Sequence, residues 1–139
     1  MYIFINKGLG MSGGKIGAQS GHAAVEAYRI SDDKLIDEWY VGKHYMKLVM
    51  EAESQEHLLV IERYLNDRGF KTALIIDEGH TEVAPITATA LGVEIVDKDD
   101  PHVAATFSSF KLYKDPKPPK EIKKPSRMAR WFGPNWGKM

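Results

Sequence analysis

The sequence predicts an α/β protein: a small mixed β-sheet of about four strands flanked by helices on both faces, one domain followed by a basic C-terminal tail. Three observations predict it. Segments of β-branched and aromatic residues alternate with segments of helical spacing, in the order strand, helix, strand, helix, strand. The 139 residues, 43% of them hydrophobic, suffice for one core and are too few for two ordinary domains. After Tyr113 the composition changes sharply, and five of the seven prolines fall in the last segment.

Tyr2 to Ile5 reads as the first strand, ending where Gly8, Gly10, Gly13 and Gly14 make a loop. A helix beginning near Gly14 or Lys15 runs to about Ile30. Lys15, Gln19, His22 and Glu26 fall on one helical face, with Ile16, Ala23, Ala27 and Ile30 on another. Gly17, Gly21 and Ala24 form a small-residue stripe. Because a helical glycine costs about 1 kcal/mol against alanine, this stripe predicts close packing on the sheet. Asp32 and Asp33 start a short helix through Trp39, stopped by Gly42.

Tyr45 to Glu51 alternates like a strand, and Ser54 is placed to cap a helix with apolar Leu58, Ile61 and Leu65 that ends at Gly69. The apolar run Thr72 to Ile76 predicts a strand covered on both faces. Ala88 to Ile95 supplies another extended segment, Asp100 and Pro101 open a short helix, and Phe107 to Tyr113 is expected as a last strand. Beyond it, prolines exclude packed strands or long helices up to Pro125, and Ser126 to Trp131 has the pattern of a basic amphipathic turn.

The chain has no cysteine, which excludes disulfides, thiolate metal sites and a cysteine nucleophile. Its first residues are too short an apolar run for a signal peptide, and no stretch approaches a membrane span, so a cytoplasmic protein is expected. Net charge is zero but unevenly placed. From Lys114 onward eight Lys or Arg face two acids, a tail of +6. The remaining eleven basic and seventeen acidic residues make a body of −6. A basic arm of this kind suits RNA phosphates, against the plainer reading of a solvated tail.

GLGMSGGKIG, between a strand and a helix, invites a phosphate-loop reading. Its spacing rejects one: Leu9 stands where a Walker loop needs glycine, and Ile16 where it needs Ser or Thr. What survives is a glycine loop that delivers Lys15 to the first turn of a helix. Asp77 follows the apolar strand directly, and ligands in open α/β sheets gather beyond the carboxyl ends of strands. If the first and third strands are parallel neighbours, Lys15 and Asp77 meet at one edge. There they offer a carboxylate for water and an ammonium for a developing oxyanion, with Thr81, Thr87 and Thr89 as orienting hydroxyls. An aspartate that merely caps a turn, beside strand-favouring threonines, is the competing explanation.

The run GMSGGKIGAQSGHAAVEAY, through Met11, Gly14, Lys15, Ala18, Gln19, His22 and Ala23, resembles the characteristic stretch of the archaeal-and-eukaryotic (type 2) peptidyl-tRNA hydrolase family. A second stretch is similar through Asp77, Gly79, Thr81, Ala84, Pro85, Thr89, Leu91 and Gly92. The resemblance covers roughly residues 1 to 113 and leaves 114 to 139 as an appended tail. It departs from the family at Asn6, Gly8, Gly13 and His80, each a loss of charge near the inferred site.

The resemblance implies hydrolysis of the ester joining a peptide to the terminal ribose of tRNA, without metal or organic cofactor, by a protein that commonly forms a homodimer. By position it maps Lys15, Gln19, Asp77, Thr81 and Thr89 onto residues in or near the family's site and His22 onto its motif histidine; Lys15, Asp77 and Thr89 are expected to be catalytic, with Gln19, His22, Thr81 and Thr87 binding substrate. For His22, one turn beyond Gln19, a buried structural role competes. For the whole chain, the competing function is an RNA- or protein-binding module on the same fold with weak or lost hydrolysis.

Overall fold

The structure is a computed structural model that describes residues 1–78 and 86–115; Thr81, most of the second motif's first half and the tail from Pro116 lie outside those residues. Strand β1 (Tyr2–Asn6) leads through a single 3-10 turn, Lys7–Leu9, into helix α1 (Gly13–Ile30). Helix α2 (Asp33–Asp37) continues as a π-helical turn, Glu38–Gly42. Then come β2 (Leu48–Ala52), α3 (Gln55–Asp67), β3 (Thr72–Asp77), β4 (Thr87–Val93) and α4 (Pro101–Phe107). The sheet order is β2-β1-β4-β3, with β1 parallel to β2 and β4 antiparallel to both β1 and β3. This is the mixed four-stranded α/β architecture that the alternation predicts.

β1 is buried at every residue because both faces of the sheet are covered, and its period of two divides it between two cores. Ile3 and Ile5 join Ala23, Ala27 and Trp39 under α1. Tyr2 and Phe4 join Leu58, Ile61 and Leu65 of α3 and Phe107 of α4 on the other side. The predicted caps form. Ser54 Oγ accepts from His57 N at 3.0 Å, and Asp100 Oδ1 accepts from His102 N at 2.8 Å with Pro101 in the first turn. Gly69, at φ 88°, takes the left-handed turn that ends α3.

Four expectations are corrected. Strand β3 is an edge strand with Ile76 45% exposed, so it is not covered on both faces. β1 and β3 run in the same direction but are not neighbours, because β4 lies between them. Residues 107–113 form no full strand: the helix started by Asp100 and Pro101 runs through Phe107, and Phe110 turns its ring edge-on to Phe4 at 4.9 Å. What remains is one antiparallel bridge, Leu112 to Met50, on the outer edge of β2.

The glycine stripe of α1 also turns out differently, since Gly17 and Gly21 are exposed and a Cβ on either would meet nothing within 4 Å. The close approach of α1 to the sheet is made by Gly92 of β4, where a Cβ would stand 2.4 Å from the carbonyl oxygen of Ala23. Among the described residues no helix is long and apolar enough to cross a membrane.

Candidate active site

The carboxyl ends of β1 and β3 and the start of β4 lie at the same end of the sheet, and α1 begins there too. Ser12 starts the helix: its backbone is extended and its Oγ accepts from Lys15 N at 3.2 Å. The buried stripe of α1 is Gln19, Ala23 and Ala27, one residue per turn. Lys15 stands one turn before Gln19 on that stripe. Its ammonium forms a salt bridge with Asp77 Oδ2, the two side chains being 8% and 7% exposed. Two opposite charges withdrawn from water to this extent strengthen each other in a low local dielectric, and each would be costly to leave alone.

Gln19 is 3% exposed, and its Oε1 accepts a hydrogen bond from the hydroxyl of Thr89, which is fully buried. The register of β3 against β4 explains why Thr89 faces α1. Ile75 pairs with Ala90 and Ile76 with Ala88, so Thr89 is the extra residue of a β-bulge. A bulge turns two successive side chains toward one face. Accordingly Ala90 packs in the core under α1 and Thr89 bonds to Gln19 of the same helix, while Ala88 packs in the core on the α3 side. The hydroxyl also lies 3.5 Å from the carbonyl of Ile75.

The peptide of Ala88, beside the bulge, is held by side chains. Its N–H donates to Gln55 Oε1 at 2.8 Å and its carbonyl accepts from Asn6 Nδ2 at 3.1 Å. Asn6 Oδ1 in turn accepts from Gly8 N at 3.1 Å. Asn6, 2% exposed, thus ties the end of β1 to the bulge. Sequence reasoning missed both positioning residues. It weighed Asn6 only as a lost charge, and Gln55 only as part of a helix after its cap. The available signal for Asn6 was an amide directly after a strand buried on both faces.

Of the seven residues predicted for the site, the structure joins Lys15 to Asp77 and Gln19 to Thr89, and it sets Thr87 opposite Asp77 in the β3–β4 register. Thr81 lies outside the described residues. His22 is exposed. This speaks against the buried structural role that competed for it, and the polar face of Lys15, Gln19, His22 and Glu26 is divided between the sheet and solvent. Four residues past Gln19 is Ala23, which follows it into the sheet, whereas His22 is rotated toward solvent.

Comparison with known proteins identifies the family. The family model described as peptidyl-tRNA hydrolase PTH2 matches residues 1–113. A protein of Methanocaldococcus jannaschii named peptidyl-tRNA hydrolase is 34% identical over 105 residues, covering 72% of this chain and 90% of its own length. One of the same name from Pyrobaculum aerophilum is 36% identical over 124 residues, covering 82% and 97%. The human protein named peptidyl-tRNA hydrolase 2, mitochondrial, is 31% identical over 112 residues, covering 74% of this chain and 62% of its own. With a family match over most of the chain and relatives of this identity on both sides of the archaeal–eukaryotic divide, the chain belongs to the peptidyl-tRNA hydrolase PTH2 family.

Proposed function

We propose that this protein hydrolyses the ester between a peptide and the terminal ribose of tRNA, with Lys15, Asp77 and Thr89 at the reacting centre. The observation that carries the reading is the buried Lys15–Asp77 pair beside the Gln19–Thr89 bond, at the sheet end where β-strand carboxyl termini converge. The Asp77 carboxylate takes a proton from water as the water oxygen attacks the ester carbonyl. The Lys15 ammonium offsets the charge that collects on the carbonyl oxygen of the tetrahedral intermediate. As that intermediate collapses, the ribose oxygen leaves with the proton that Asp77 took from water, giving the free peptide acid, which ionises, a tRNA hydroxyl and the regenerated Asp77 carboxylate. Gln19, held by Thr89, positions the substrate together with Thr81 and Thr87, and His22 meets it from the exposed side of α1.

Residues 1–113 form the hydrolase unit in this reading, and 114–139 form an arm whose +6 charge contacts RNA phosphates that the −6 body repels. The unit works in the cytoplasm as a homodimer, in which a second copy covers exposed apolar side chains such as Val60 and Ile86. The deciding experiment is hydrolysis of purified peptidyl-tRNA alongside the Lys15→Ala variant. Release of free tRNA that falls about 100- to 1,000-fold in the variant supports the reading. Release by neither protein overturns it, and sedimentation at micromolar concentration tests the dimer.

A further inference from the structure

The opposite end of the sheet carries a second group of features that the Lys15–Asp77 site does not use. A cavity of about 260 Å³ opens there, walled by Leu35, Trp39 and Ile95 and rimmed by Lys43, Lys98 and Glu38. Its other acids are engaged locally: Asp99 pairs with Lys43 at 3.5 Å, and Asp97 Oδ1 accepts from Asp99 N at 2.9 Å. Beside the cavity, Tyr40 and Tyr45 are 60% and 53% exposed with ring centroids 5.4 Å apart. Lys47 holds its ammonium 5.3 Å from the ring of Trp39 and 5.2 Å from that of Tyr45.

The backbone that presents these rings is unusual twice over. Tyr40 rides on the π-helical turn Glu38–Gly42. His44 and Tyr45 are consecutive non-glycine residues in the left-handed region, at φ 52° and 46°. Such residues are strained and persist where the surroundings enforce them, as ligand clamps do. Exposed rings, lysines beside them, and an adjoining slot with an aromatic wall and both donors and acceptors at its mouth match one ligand chemistry: a planar base, polar at its edges, carried on a phosphate.

We propose that the Trp39–Tyr45 corner and its cavity bind an unpaired ribonucleotide stretch, as a second RNA contact remote from the ester-cleaving centre. This deepens the function proposed above and rests on it for the identity of the RNA. Helix α1 sets the distance, since it runs from Lys15 at one site to Tyr28, whose ring lies 6.5 Å from that of Trp39 at the other. Thirteen residues at 1.5 Å each separate the two by about 20 Å, within reach of a few nucleotides of unpaired strand.

The test measures binding of a short single-stranded RNA and of a duplex of equal charge to the full-length protein by fluorescence anisotropy. It involves no ester and no turnover, so its outcome is independent of whether hydrolysis occurs. Tyr45→Ala should weaken single-strand binding about 5- to 150-fold and leave duplex binding unchanged. Tyr45→Phe, which keeps the ring and reports on folding, should bind as the parent does. Lys47→Gln should lower the salt dependence of single-strand binding by about one phosphate contact. Unchanged single-strand affinity in a Tyr40→Ala, Tyr45→Ala double variant overturns the proposal. So does an equal loss for single strand and duplex, or a change in sedimentation that marks the corner as a protein interface.

Discussion

Lys15 and Asp77 each depend on the other for their charge to be tolerated under the first turn of α1. Removing the ammonium alone takes away the opposite charge beside the buried Asp77 carboxylate, which should be destabilising. Lys15→Ala should therefore lose stability as well as activity. In the double variant Lys15→Met, Asp77→Leu, thermal melting should recover much of the loss while hydrolysis stays at the level of the single variant, which separates a catalytic role from a structural one. On the outer part of the sheet, Lys7 donates to Glu51 at 3.0 Å and holds its carboxyl below the usual range. A lowered folded-state value means stability that is complete above the unfolded value and lost as pH falls through the folded one. Lys7→Met should accordingly lessen the fall in melting temperature as pH drops below the ordinary glutamate range, by a small amount because both partners are partly solvated.

The bulge in β4 and the packing of α1 make sharper predictions at the level of elements. Thr89→Val keeps the shape of the side chain and leaves the buried Gln19 oxygen without its donor, a cost of about 1–3 kcal/mol in denaturant unfolding. Gly92→Ala forces a Cβ onto the Ala23 carbonyl and should destabilise by about 1–3 kcal/mol or more, since backbone cannot yield as a side-chain tip does. Gly17→Ala, on the open side of α1, should stabilise by up to about 1 kcal/mol. This contrast also marks what was legible in the sequence. Caps, strand spans and helix starts were readable because Ser54, Asp100, Pro101 and Gly69 act through their own neighbours. The orientation of α1 was not: periodicity assigns polar residues to solvent, and this helix turns Gln19, and with it Lys15, inward where the chemistry is. The bulge was also hidden, because an extra residue in a strand is defined by its partner.

For the whole molecule, motif order was enough to place Lys15 and Asp77 together although sixty-two positions separate them, but the route was different from the one expected. Strands β1 and β3 are not adjacent, and the two side chains meet because α1 lies along β4 and β3, with Lys15 at its start beside Asp77 and Ile30 at its end accepting from Lys71 just before β3. The tail is the other large-scale question. Deleting residues 114–139 should leave the melting temperature within a degree or two and reduce both the affinity for tRNA and its dependence on salt. A large fall in stability with unchanged binding would make the tail part of the fold.

The position of β1 in the sheet has a consequence for the time course of folding. β1 is the inner strand whose two edges are closed by β2 and β4, so that Ile3 faces Val49 on one side and Gly92 on the other. Its parallel partner follows after some fifty residues of chain and its antiparallel one after about ninety. At a synthesis rate of roughly 5–20 residues per second, the five apolar or edge-bonding residues from Tyr2 to Asn6 wait about 4 to 18 seconds before the second edge is covered. During that interval the strand that later supports both cores is the segment most in need of shielding from other chains. Refolding of the finished protein should be correspondingly slow for its size, in the millisecond-to-second range rather than the microsecond range of helical domains.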